Sequence, residues 1–183
     1  MLGSSNERSE LSRIVKDRTL PADAVIVEAD ERERIALADR FGVVSVERLH
    51  APVDLTLCKK GIRAEGTLFA EIVQSCSVSG EAFSVLIEEP IVLRFIVEGT
   101  ASLIPSDEED IDFEITAEDC DEIEYAGDGF DLGEAVAQTL GLAIDPYAEG
   151  PKAEAARSKA GIVGEGDADG PLAAGLAALK KPS

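Results

Sequence analysis

An alternation of apolar and polar residues along residues 43–97 most constrains the fold of this chain. Side chains alternate between the two faces of a β-strand, so a period of two predicts half-buried strands. "CKKG" and "SVSGEAF" are turn sequences that divide the region into three long strands, and Pro90 is a candidate break in the third. Pro52 marks an edge or a bulge. The residues expected to face inward in the first two strands are Val44, Val46, Val53, Leu55, Leu57, Ile62, Ala64, Leu68, Ala70 and Ile72. The pattern predicts an antiparallel meander.

Two other segments have the three-to-four-residue spacing of amphipathic helices. The first covers residues 31–40, with Asp30 as its N-cap and Gly42 after its end. The second begins after Asp131 and is expected to end at Gly141. The apolar residues predicted to share a buried face are Ile35, Ala38 and Phe41 in the first helix and Leu132, Val136 and Leu140 in the second.

Shorter strands are expected in residues 9–20, with Leu11 and either Ile14 or Val15 inward, in "DAVIVEAD" and, at an edge, in "DEIEY". The fold class is therefore α+β: an antiparallel, curled or barrel-like sheet with two packed helices. Residues 1–150 are predicted to form a single domain. Residues 151–183 are predicted to be a mostly disordered tail with a weak helix at 171–181, because most of that segment has no apolar periodicity.

The charge of the chain, −20 at neutral pH, is unevenly distributed. Residues 95–151 contain 17 Asp and Glu and neither Lys nor Arg, whereas residues 1–63 have 11 basic and 11 acidic side chains. Such a stretch is either a solvated surface that aids solubility or a docking surface for a basic partner. Direct wrapping around nucleic acid is disfavoured, because phosphates require a cationic surface. The acidic residues proposed for docking are Asp107, Glu108, Glu109 and Asp110.

The segment "IVQSCSVSGEAF" (residues 72–83) concentrates polar groups around Cys76. A nucleophilic cysteine needs a base, and His50 is the only histidine in the chain. The other interpretation is a small apolar residue that ends a strand, and this is the one that the sequence favours. The wide spacing of Cys58, Cys76 and Cys120 predicts neither a zinc site nor a disulfide framework. The sequence also lacks a phosphate loop, a dinucleotide-binding fingerprint and a nucleophile elbow, so no catalytic residue and no cofactor are predicted.

Three blocks of sequence carry a resemblance: "ERIALADRFGVVSVERLHA", "IRAEGTLFAEIVQSCSVSGEAFSVLIEEPIVLRF" and "FDLGEAVAQTLGLAIDPY". In this order they resemble the YceD family, the large ribosomal RNA subunit accumulation proteins, in an alphaproteobacterial-type version, over about residues 20–150. The resemblance implies a role in synthesis, processing or stability of 23S ribosomal RNA, and no catalytic residue. The family turn typically reads Gln-x-Cys-x-Val-Thr-Leu-Glu-Pro. Here Ser79 replaces the threonine, and Gly80 and Ala82 replace the leucine and proline. A C-terminal cysteine cluster found in many members is absent after Cys120, so no metal is carried over.

The expected function is that of a non-enzymatic ribosome-biogenesis factor whose partner is a ribosomal protein or a precursor large-subunit ribonucleoprotein. Direct contact with ribosomal RNA is left open, and neither a membrane nor a small-molecule substrate is expected. The short apolar runs and polar N-terminus suggest a soluble, cytoplasmic protein. The alternative is an acidic protein-binding module, such as a nucleic-acid mimic, unrelated to ribosomes. Outside the acidic stretch, the candidate partner-binding residues are Arg63, Gln74, Ser79, Glu81 and Arg94.

Overall fold

A computed structural model describes residues 9–99 and 121–161, and these contain seven strands and three helices. The strands are β1 (Ile14–Lys16), β2 (Val25–Glu28), β3 (Ser45–Cys58), β4 (Gly61–Ser75), β5 (Ala82–Val97), β6 (Asp121–Tyr125) and β7 (Gly129–Asp131). The helices are α1 (Glu31–Phe41), α2 (Leu132–Ala143) and α3 (Ala153–Ala160). This content confirms the α+β class.

The chain divides into two compact units. Among the described residues, the sheet unit comprises 9–74, 84–99 and 121–145, and the turn unit comprises 75–83 and 146–161. The domain boundary predicted at residue 150 falls inside the turn unit. Helix α3 also belongs to this unit, in a segment for which disorder was predicted. The weak helix predicted at 171–181 lies outside the described residues.

The larger sheet has the order β2-β3-β4-β5-β6 and is open, so the expected barrel is wrong. The antiparallel expectation holds for β2 with β3 and for β3 with β4, but β6 pairs with β5 in parallel, from Leu93 opposite Asp121 to Val97 opposite Tyr125. A parallel neighbour needs a crossover connection rather than a tight turn. The sequence of "DEIEY" predicts an edge strand but contains nothing that fixes its direction.

A bulge between Val46 and Arg48 changes which residues of β3 face the core. Before the bulge Val46 is buried, and after it the buried positions are Leu49, Ala51 and Val53, because one extra residue reverses the alternation. The prediction that Val44 and Leu57 are buried is wrong: they are 56% and 73% exposed. Val44 precedes the strand, and Leu57 is next to its hairpin end.

The inward positions predicted for β4 are all buried: Ile62, Ala64, Leu68, Ala70 and Ile72. The break considered at Pro90 does not occur, and Pro52 marks neither an edge strand nor the bulge of β3, which lies between Val46 and Arg48. β5 continues through Pro90, and Pro52 lies inside β3 opposite Ile26 of β2. Strand β4 leaves room there with Gly66, where an added Cβ would be 2.2 Å from the Pro52 carbonyl oxygen.

Helix α1 begins at a complete capping box, in which Asp30 accepts from the Glu33 N–H and the Glu33 carboxylate accepts from the Asp30 N–H. It ends at Gly42, whose φ of 65° is the left-handed conformation that favours glycine. The predicted buried face is partly wrong: Leu37 and Ala38 are buried, whereas Ile35 is 60% exposed.

Helix α2 begins after Asp131 and buries Leu132, Val136 and Leu140, as predicted. It does not end at Gly141 but continues to Ala143. Gly141 lies against α1, where an added Cβ would be 2.7 Å from Cε1 of the Phe41 ring. The glycine therefore permits a close approach of the two helices rather than ending the second one.

Beside this contact, the Arg40 guanidinium of α1 binds the Glu134 carboxylate of α2 through two hydrogen bonds of 2.8 and 2.9 Å. Arg40 also binds Glu10, and Ser9 donates to Glu134. The guanidinium lowers the pKa of Glu134 to about 2. Charge-assisted bonds therefore join the N-terminal segment and both helices of the sheet unit.

The second sheet of the described residues pairs β1 with β7, and it buries Leu11 and Val15 while Ile14 stays exposed. The core of the sheet unit is made of aliphatic side chains with few aromatic ones. Phe95 of β5 stacks on Phe130 of β7, with 4.1 Å between the ring centroids.

Candidate functional site

The turn that follows β4 is organised around the backbone and thiol of Cys76. The Cys76 N–H donates to the Glu81 carbonyl at 2.8 Å, and its carbonyl accepts from the Gly80 N–H at 2.9 Å. The Ser79 N–H points at the thiol, with 3.3 Å between the nitrogen and Sγ. Gly80 has a φ of 71°, which the tight turn requires and which an L side chain rarely adopts. The sequence correctly centred a turn on Gly80.

Residues 146–161 belong to the same unit and pack on this turn. Ser77 donates through its N–H to the Ala148 carbonyl and through its hydroxyl to the Tyr147 carbonyl, at 3.1 and 2.9 Å. Gly150 lies so close to the Phe83 ring that an added Cβ would be 2.9 Å from it. The two segments, distant in sequence, thus form one hydrogen-bonded structure.

Two ion pairs flank the turn. Lys152 binds the Glu81 carboxylate at 2.7 Å, and Arg157 of α3 binds Glu149 through both of its terminal nitrogens. The Glu149 pairing raises the pKa of Arg157, and the charge of Cys76 contributes to the same shift. The interaction with Cys76 is a minor cause of the Arg157 shift, and Arg157 is not among the main causes of the shift at Cys76.

These surroundings lower the pKa of Cys76 to about 7. The largest cause is hydrogen bonding from Ser79, followed by backbone N–H groups that include those of Gly150 and Val78, and burial opposes the shift. The residue is 3% exposed. A substantial fraction of Cys76 is thiolate near neutral pH, but little of its surface is open to a reactant.

Cys76, interpreted from the sequence as a small apolar residue that ends a strand, directly follows β4 and is buried, with N–H donors around its thiol. Ser79, three residues further along, was the available sequence signal for a bond to the thiol. Gly150 and Arg157 had none, because only the tertiary structure brings them to the turn. His50, the base considered for Cys76, lies in β3 with Glu28 and Phe69 as its neighbours in register.

The predicted partner-binding residues fall in three settings. Ser79 and Glu81 share the Cys76 turn, where the Ser79 hydroxyl accepts from the Glu81 N–H at 3.3 Å. Gln74 is only 6% exposed, so its side chain belongs to the interior and is not available on a contact surface. The four acidic candidates Asp107, Glu108, Glu109 and Asp110 lie outside the described residues.

Arg63 of β4 and Arg94 of β5 both point away from the core. Each stands between two buried neighbours in a strand, so alternation turns its side chain to the opposite face. Each is also engaged by a carboxylate: Arg63 binds Glu65 and Arg94 binds Glu122 of β6, both at 2.8 Å. These pairs neutralise the two arginines locally, so the outer face of the sheet is not a cationic surface at this place.

Strand β6 brings acidic side chains to the end of the larger sheet. Asp121, Glu122 and Glu124 are exposed on it, and Arg94 is bound to one of the three. Three acidic residues of the predicted acidic stretch are thus exposed together on one regular element. The sequence placed the main docking candidates in the preceding segment, with Asp121 and Glu122 following them closely in the chain.

No family model, no curated protein and no solved structure matched this chain. The YceD resemblance therefore stays a prediction. Within residues 9–99 and 121–161, no helix is long and apolar enough to cross a membrane. The same residues contain no group of three or more Cys, His, Asp or Glu side chains able to hold a metal ion.

Proposed function

We propose that this protein is a non-enzymatic factor in the assembly of the large ribosomal subunit, which binds a basic ribosomal protein or ribonucleoprotein on an acidic surface. The proposal combines the YceD resemblance with the charge distribution of the chain. Its main structural support is the exposed acidic strand β6, at the end of the larger sheet. Ribosomal proteins are strongly basic, and an anionic surface attracts such partners over a distance of about 10 Å at 0.1 M salt.

The arrangement around Cys76 is consistent with a structural role in this function. Its thiol is nearly enclosed, and the groups that shift its pKa are hydrogen-bond donors of Ser79, Gly150 and Val78 rather than a base. A nucleophile needs access to its substrate and usually a proton acceptor. We therefore assign the thiolate to the stability of the turn unit.

The experiment that tests the function is a ribosome profile from cells that lack the protein, together with affinity purification of the tagged chain. We expect a deficit of large subunits, accumulation of 23S precursor RNA, and recovery of large-subunit proteins with the tagged chain. Normal profiles with recovery of unrelated proteins would contradict the proposal and favour an acidic binding module of another kind.

Replacement of Cys76 by serine tests the proposal that the protein does not act as a cysteine enzyme. Cys76→Ser should restore normal ribosome profiles in cells that lack the protein, because a hydroxyl can still accept the Ser79 N–H in the turn. The measurement is complementation at matched protein levels. A folded, normally abundant Cys76→Ser protein that failed to complement would show that the thiol itself is required.

A further inference from the structure

A surface groove of about 510 Å³ lies in the sheet unit where α2 faces β5 and β6. Its lining combines the middle of β5, the start of β6 and the outer side of α2. The residues that line it include Glu89, Val92, Asp121, Glu122, Ile123 and Leu142. The volume lies in the range of pockets that hold ligands and has room for more than one side chain of a partner.

The electrostatic character of the groove is anionic. Glu89, Asp121 and Glu122 line it, and no Lys or Arg is among the described residues that do so. Arg94 binds Glu122 at 2.8 Å and offsets one of these three charges. The C-terminal end of α2 also reaches the groove, and no basic residue lies in its last turn. Since the C-terminus of a helix carries partial negative charge, this end adds to the attraction for cations.

The same groove exposes apolar side chains. Leu142 on the last turn of α2 is 85% exposed, and Ile123 of β6 is half-buried in the lining. Val92 of β5 is 41% exposed but alternates with the buried Ile91 and Leu93, so its side chain is on the face of β5 away from α2. Leucine exposed to this degree at a concave site offers area that a partner side chain can cover. An acidic lining around apolar residues is complementary to a segment that carries both positive charges and large apolar side chains.

We propose that this groove is the docking site for a Lys- or Arg-rich segment of a partner protein, with a leucine-like side chain seated against Leu142 and Ile123. The inference rests on the proposed function for the nature of the partner and adds the place and chemistry of its binding. The cationic side chains pair with Glu89 and Asp121, and the end of α2 contributes to their attraction.

The test uses the full chain, ¹⁵N-labelled, and a short synthetic Lys/Leu peptide as the probe, with Glu/Leu and Lys/Ser peptides for comparison. We expect the Lys/Leu peptide to shift the amide signals of α2, β5 and β6, and the other two peptides to bind weakly. The double variant Glu89→Lys with Asp121→Lys should raise Kd at least about tenfold, since two attractions become repulsions. Leu142→Ser should raise Kd by roughly tenfold through loss of apolar contact.

A matched control is Asp23→Lys with Asp54→Lys, which changes the net charge by the same amount. Asp54 is exposed on β3, and Asp23 is exposed just before β2, the strand at the other end of the larger sheet from β6. Its effect on Kd should be about twofold or less at physiological salt, because charges beyond a Debye length are screened. Equal weakening by both pairs would overturn the proposal in favour of non-specific attraction. Glu89→Gln with Asp121→Asn provides a milder test if the lysine variants do not fold.

Two further results would overturn the docking site. One is an unchanged Kd in folded Leu142→Ser, and the other is a dimer in sedimentation analysis that Leu142→Ser dissociates, which would assign the groove to a second copy. The two kinds of experiment distinguish a wrong docking site from a wrong proposed function. Peptide binding is measured outside the cell, whereas ribosome profiles report on assembly whichever surface binds the partner.

Discussion

In the sheet unit the buried side chains are nearly all apolar, whereas the turn unit is held together by hydrogen bonds and ion pairs. The cluster in the sheet unit includes Leu37, Leu68, Phe95 and Leu140, each at most 1% exposed. In the described part of the turn unit, only Cys76 and Ala153 are buried hydrophobic residues. Its defining contacts are polar, among them those of Ser77, Glu81 and Glu149.

The difference shows two ways in which segments distant in sequence are joined. Apolar burial stabilises in proportion to the area removed from water and does not depend on the direction of contact. Hydrogen bonds contribute less each but require specific donors and acceptors. Substitutions in the sheet unit should therefore act through lost packing, and those in the turn unit through individual polar groups.

The largest expected effect is that of Phe95→Ala in the sheet unit. Phe95 is 1% exposed and stacks on Phe130, so its removal leaves a cavity in the core. We expect the free energy of unfolding to fall by about 3–5 kcal/mol. Chemical denaturation followed by circular dichroism measures it. A loss below about 1 kcal/mol would mean that packing here is looser than the contacts suggest.

Substitution of one glycine in each unit allows the stability of the two units to be compared directly. Gly66→Ala in β4 should cost about 3 kcal/mol, because its Cβ would be 2.2 Å from the Pro52 carbonyl oxygen and the backbone would have to move. Gly80→Ala in the turn unit has open space and costs only the strain of a positive φ, about 1 kcal/mol. Thermal and chemical denaturation of both variants test this order, and the reverse order would contradict it.

A half-buried ion pair in the sheet unit should contribute more to the free energy of unfolding than an exposed ion pair in the turn unit. Glu134→Gln removes the charge that Arg40 binds and should cost about 1–2 kcal/mol at neutral pH. The pKa of Glu134 is lowered to about 2, so its contribution is present above its ordinary pKa and disappears as the pH falls toward 2. Glu149→Gln should have a smaller effect, because Glu149 is more exposed. Denaturation at neutral and acidic pH measures both.

The last expected effect is a pH dependence of stability due to Cys76. Its pKa is lowered to about 7, below its ordinary value of 9.0, so the folded protein favours the thiolate. The resulting stabilisation is fully present above pH 9 and is lost as the pH falls through 7. The difference in unfolding free energy between the wild type and Cys76→Ser should therefore grow from pH 6 to pH 9, under reducing conditions. A constant difference would mean that the thiol is not perturbed.

Features of the fold that depend on residues close together in the chain were predicted better than those that depend on distant contacts. The buried face of β4, the N-caps Asp30 and Asp131, the end of α1 at Gly42 and the turn at Gly80 depend on neighbouring residues, and all were predicted. The errors at Val44 and Leu57, and at Ile35, concern positions next to strand or helix ends or at the margin of a face. There, burial depends on what packs opposite rather than on local periodicity.

The candidate site was harder to predict from local sequence patterns. The sequence indicated polar residues around Cys76 and an acidic region, but it gave no sign that the backbone of Gly150, about 70 residues further along the chain, contributes to the thiol's surroundings. The groove beside α2 depends on the parallel pairing of β6 with β5, which no local pattern specifies. The sequence does not distinguish the acidic residues of β6 from others nearby, and only this pairing determines where their side chains lie.

By itself, then, the sequence determined the α+β composition, most strand and helix positions and the anionic character, since these follow from periodicity, capping and charge. The tertiary structure decided that the sheet is open, that Gly141 brings two helices together and that Cys76 is surrounded by N–H donors. The physical reason is that strand order, close approach and thiol acidity depend on contacts between distant segments. Those contacts are selected by the packing of the whole chain.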